Sequence, residues 1–157
     1  MKADRRDWLA YRWLGLACLA LSPLAHAVLG GAAATVETDK ARMFASGTVQ
    51  PGAQYTVHEM TLPRGTVVRE FVNPAGVVFG VAWDGPAMPD LRQLLGDHLP
   101  EAASGVQAVR RARGGIGPVS SSSDTLVIQS GGHMGNFRGR AYLPQALPAG
   151  VSPDVIQ

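Results

Sequence analysis

The chain has 157 residues and a mass of 16.5 kDa, with 14 Lys and Arg, 12 Asp and Glu, and a single cysteine. Residues 1–27 hold Lys2, Arg5, Arg6 and Arg12 against Asp4 and Asp7, so residues 28–157 keep ten charges of each sign and are neutral. A neutral body lacks the cation excess with which a general nucleic-acid binder displaces counterions. With Cys18 in the first segment, it also has no thiol for an internal disulfide.

The first 27 residues predict an export signal. Cations end at Arg12, an apolar run follows from Trp13 to Leu21, and Ser22 and Pro23 break it. Ala25 and Ala27 then place small residues at the two positions a signal peptidase reads. The run is too short for the roughly 20 residues of a spanning helix. Cleavage after Ala27 is expected. It would leave a 130-residue domain, periplasmic or extracellular, with no stable membrane span. An uncleaved anchor is the alternative. A lipoprotein acylated at Cys18 fits less well, because Gly15 stands where such a site wants Leu and Cys18 lies inside the apolar run.

A domain of that size buries about two-thirds of the surface its unfolded chain exposes. Residues 28–53 are small and rich in Gly, Ala and Thr, with one apolar pair at Met43 and Phe44. Strand formers then dominate Tyr55–Leu62, Thr66–Val72 and Val77–Trp83, with turns at Pro63–Gly65 and Asn73–Gly76. Alternation puts Val77, Phe79, Val81 and Trp83 on one face of the third strand and Val78, Gly80 and Ala82 on the other. The second, nearly flat face invites close approach by the next element. That element is a short helix, with Pro89 suited to its first position, Leu91, Leu94 and Leu95 on one side and Gly96 placed to end it. Residues 101–123 are poor in large apolar groups, end in serines and read as a long loop. Strands follow at Thr125–Ser130 and Phe137–Leu143, joined by a turn at Gly131 and Gly132. The end of the chain is too rich in proline for a helix or a central strand. The sum is an α+β or mainly β domain, with an antiparallel sheet of about five strands and one short helix.

Few residues carry recognisable chemistry. His58, His98 and His133 have no second His or Cys at i+2 to i+4, so no metal site or cofactor is expected. Ser130 and His133 stand three apart, without the strained elbow or a third orienting group that nucleophilic catalysis requires. A hairpin closed directly at Asn73–Gly76 sets Glu70 opposite Phe79, among Val68, Phe79 and Val81. A carboxylate there needs a partner, and Arg138 and Arg140 are the candidates. Glu70 then reads either as half of a structural ion pair or as an acid in a pocket. Trp83 reads as core or as a stacking platform. Arg110, Arg111 and Arg113 form a basic cluster that is either a solvated loop or a contact for anions.

Several stretches resemble an exported Gram-negative bacterial family, the domain of unknown function 2844. They are Ala27–Gly31, Val68–Phe71 with Gly76–Phe79, Trp83–Pro86, Pro89–Leu91 with Leu94–Gly96, and Gly132–Met134 with Gly139–Pro144. The resemblance spans nearly all of residues 28–157. It implies export and a single domain, and it carries no activity, ligand or catalytic residue. The residues therefore point to a small non-catalytic exported protein that binds another cell-envelope component through a sheet face or edge, with a site drawn from Glu70, Trp83, His133, Arg138 and Arg140. The alternative is an envelope enzyme built from Glu70, His133, Arg138 and Arg140. That reading requires Glu70 and His133 to line one cleft.

Overall fold

The computed structural model describes residues 29–43, 45–115 and 117–157. The leader, its cleavage point at Ala27, Cys18 and Phe44 lie outside the described residues. After a buried Leu29 come α1 (Val36–Arg42), β1 (Ser46–Pro51), β2 (Thr56–Thr61), β3 (Val67–Val72) and β4 (Val78–Gly85). Then follow α2 (Leu91–Leu95), α3 (Leu99–Arg113), β5 (Val119–Ser122), β6 (Val127–His133) and β7 (Asn136–Tyr142). The strands form one antiparallel sheet of seven, in the order β1-β2-β3-β4-β7-β6-β5. From β4 the chain crosses through α2 and α3 to the far edge and returns strand by strand to pair β7 with β4.

Mainly antiparallel β with some helix is the architecture the sequence implies, but the described residues form seven strands where about five were expected, and three α-helices, α3 being 15 residues long, where one short helix was expected. The largest correction falls on residues 101–123, which form most of α3 together with β5 where a loop was expected. Ala, Glu, Gln and Arg are good helix formers. This helix packs through a thin stripe: Ala102 is buried, Leu99 and Val106 are partly buried against the core, and a Cβ on Gly105 would run into Ser121 of β5. Leu99, Ala102 and Val106 keep the i, i+3, i+7 spacing of a helix, but with only two large members the signal is weak. The serine run pairs with β6 residue by residue, and only its leading Val119 is buried. Gly131 and Gly132 lie within β6, while the turn falls at His133–Asn136 with Gly135 in the left-handed region (φ 85°).

A second correction concerns the register of β3 and β4. Phe71 pairs with Gly80 but Val72 pairs with Val78, so Phe79 is an extra residue, a β-bulge. The hairpin also closes one residue later than expected, at Val72 and Val78, and with the bulge this places Glu70 opposite Val81, not Phe79. The bulge turns Phe79 away from Val81 and Trp83, so the three do not share a face.

The core therefore has two layers. One face of the sheet carries Met60, Val68, Val72, Val78, Val81, Trp83, Ala141 and Ile128, covered by Leu29, Val36, Leu94, Leu95 and Ala102. The other carries Phe71, Phe79 and Ala82, covered by the C-terminal segment through Leu147, Val155 and Ile156. So α2 packs on the bulky face. The flat spot at Gly80 is filled by Ile156, whose side chain would sit 2.8 Å from a Cβ there. Asp90 caps α2 through the amides of Arg92 and Gln93, and Gly96 ends it at positive φ.

Candidate functional site

The registers align side chains in rows across the sheet. On the face opposite the helices, one row takes a residue from every strand: Thr48, Glu59, Arg69, Ala82, Arg140, Gln129 and Ser120. All but Ala82 are polar, and strand alternation keeps the row off the helix-covered face. Within it Arg69 Nε donates to Glu59 Oε2 at 2.7 Å, Arg140 Nε donates to Gln129 Oε1 at 2.8 Å, and Gln129 Nε2 donates to Ser120 Oγ at 3.5 Å. In the next row Arg138 pairs with Asp84 at 2.9 Å.

Ala82 leaves a gap between Arg69 and Arg140, and the C-terminal segment uses it. Arg140 Nη1 donates to the carbonyls of Pro153 and Ile156 at 3.0 and 3.3 Å, and Arg69 Nη1 donates to Gln157 O at 3.2 Å. The two guanidiniums hold the segment whose Ile156 caps this face. Charge-assisted bonds of this kind are the stronger class of hydrogen bond.

The segment covers only part of the face. An open groove of about 1170 Å³ remains, running from Gln50 on β1 past Tyr55, Arg69 and Arg138 to Ser120 and Arg113. Its lining cations are Arg69, Arg113, Arg138 and Arg140, against Glu59 and Asp84, so the groove is positive within a neutral body. Arg113, at the end of α3, donates to Pro118 O at 3.3 Å. Pro118 packs on Gly131, the register partner of Arg138, where an added Cβ would lie 3.3 Å from the proline ring.

Glu70, the predicted acid, is buried on the helix-covered face with Val68 and Val81, opposite His58 of β2. Arg138 and Arg140 pair elsewhere, on the other face, so the expected ion pair with Glu70 is not formed. His133 is exposed at the end of β6, its Nδ1 3.0 Å from Met134 O. β4 and β7 separate β6 from β3. Arg138 and Arg140 line the groove; Glu70 and His133 do not. The structure therefore does not assemble these four residues into one cleft. The Trp83 side chain is core, 2% exposed, lying against Gly139. Glu59, Arg69 and Gln129 complete the polar row and were not singled out in the sequence, because only the register reveals the row. Elsewhere, Glu101 near the start of α3 accepts from the hydroxyls of Ser123 and Thr125 at 2.6 Å each. Those two bonds hold its carboxyl below the usual carboxylate range.

No described helix is long and apolar enough to cross a membrane. A family model described as a protein of unknown function, DUF2844, matches residues 25–156, in agreement with the resemblance carried by the residues. No curated protein and no solved structure matches the chain.

Proposed function

We propose that this chain, which belongs to the DUF2844 family of proteins of unknown function, is a small exported protein that works without catalysis, binding another component of the cell envelope on the open face of its sheet. The observation that carries this reading is the groove. One face of the sheet is closed by helices, whereas the other, half covered by the C-terminal segment, presents a row of polar side chains already fixed by their neighbours. Pre-ordered side chains lose little further entropy on binding, which favours recognition. Export is supported by the order of charge, apolar run and small residues in the leader. Leu29, two residues beyond Ala27, is already buried, and its amide donates to Leu94 O at 3.0 Å.

The test is site-specific photocrosslinking in intact cells. A photoreactive residue at Gln50 or Ser120, the two ends of the groove, is expected to give a discrete adduct with an envelope component that Arg138→Glu abolishes. The same group at Ala108, exposed on α3, is expected to give none. Equal adducts at all three positions, or none in the groove, would overturn the proposal.

A further inference from the structure

The two edges of the sheet are treated very differently. β5 is four residues long, buries Val119 and is covered by α3, whose Gly105 lies against Ser121. β1 is six residues long, pairs among the described residues only with β2, and every one of its residues is exposed. Thr48 and Gln50 are bare on the groove face, and Gly47 and Val49 are bare on the helix face. Among the described residues neither covering layer reaches the edge. Natural sheets guard such an edge with Lys, inward charges or a very short strand. β1, with Ser46, Gly47, Thr48, Val49, Gln50 and Pro51, has no charge at all, and only its terminal proline interrupts the run of donors. Val49, at 51%, is one of three large apolar side chains exposed among the described residues.

We infer that β1 is a self-association edge, pairing antiparallel with β1 of a second copy about a two-fold axis near Thr48 and Val49. An antiparallel edge presents the same alternation of donors and acceptors to its own copy, so an isologous contact satisfies both strands at once. Three observations favour a second copy over a foreign segment. The strand is neutral, so two copies meet without like-charge repulsion. Both flanking layers stop short, so two whole domains can approach without collision. The axis brings the exposed Val49 of one copy beside that of the other, on the same face. Pairing would join two seven-stranded sheets and set their grooves side by side. The contact is confined to one strand from each copy, well below the roughly 800 Å² per partner of a standard interface. The dimer is therefore weak, with a dissociation constant in the micromolar range. The inference stands independently of what the groove binds.

Light scattering and sedimentation of the purified protein test it. The expected result is a monomer–dimer equilibrium between about 5 and about 500 µM, shifted at least tenfold towards monomer by Val49→Lys, with the circular dichroism spectrum unchanged. In a Cys18→Ser background, single cysteines at Thr48, Val49 and Gln50 are oxidised in turn. The position nearest the axis is expected to give a disulfide-linked dimer, while Ser122→Cys on the opposite edge is not. A monomer at every concentration would overturn the inference. So would a dimer indifferent to Val49→Lys, or a β1 cysteine that captures only a different protein.

Discussion

Replacing Gly139 by alanine tests the packing that fixes the sheet. Gly139 sits on β7 opposite Trp83 of β4 and Ser130 of β6. A methyl group there would lie 2.7 Å from Trp83 Cε2 and 2.7 Å from the Gln129 carbonyl oxygen, and closer still to Trp83 Cζ2. Ordinary contact begins at 3.4 Å, so the ring and a main-chain oxygen would each have to yield by about 0.7 Å or more. Neither yields easily, because Trp83 is 2% exposed and the carbonyl belongs to a central strand. Overpacking of a tight core costs about 1–3 kcal/mol, and this site belongs at the upper end, near 3 kcal/mol. That is a large share of the roughly 5–15 kcal/mol that holds a domain together. Urea unfolding followed by circular dichroism measures it. Gly117→Ala is the control, because nothing lies within 4 Å of the added methyl, and it is expected to change stability by less than about 0.5 kcal/mol. A Gly139→Ala variant within about 1 kcal/mol of the parent would refute the seating of Trp83 on this glycine.

The two groove arginines of β7 are expected to separate in their effects. Arg140→Ala removes the clasp on Pro153 and Ile156 and is expected to cost about 1.5–3 kcal/mol, with faster amide exchange of residues 153–157. Arg138→Ala breaks only the exposed pair with Asp84 and is expected to cost less than about 1 kcal/mol. Equal costs would contradict the division between a structural and a solvent-facing arginine. At Glu101 the folded state holds the carboxyl below its unfolded value, so its contribution is complete above the ordinary carboxylate range, about 4.3. It is lost as the pH falls through the lowered value. Glu101→Gln is expected to flatten the acid limb of the stability profile, and an unchanged limb would count against the two hydroxyl contacts.

The central hairpins were legible because they rest on local signals. β2, β3 and β4 fall within one or two residues of the expected strands, where β-branched runs are bounded by Pro and Gly. The missed elements bury little that is large. α3 buries only Ala102 fully, with Leu99 and Val106 partly buried and Gly105 against β5; β5 is serine apart from Val119, and β1 buries nothing. A periodicity with so few large apolar members is a weak signal. The polar row was invisible for a different reason. Its members come from seven strands, and one bulged residue at Phe79 decides which of them share a face. The arginines expected beside Glu70 are level with Ala82 and Asp84, on the opposite face, and only the pairing of β7 with β4 shows it. Trp83 as core, by contrast, followed from its place in an apolar strand.

The account depends most on the domain working outside the cytoplasm. Mass spectrometry of the protein's N-terminus, after osmotic release of the periplasm from cells that express the full chain, tests this directly. The account predicts a chain beginning at Val28 in the released fraction. A chain that keeps Arg5, Arg6 and Cys18 and stays with the cytoplasmic proteins would contradict it.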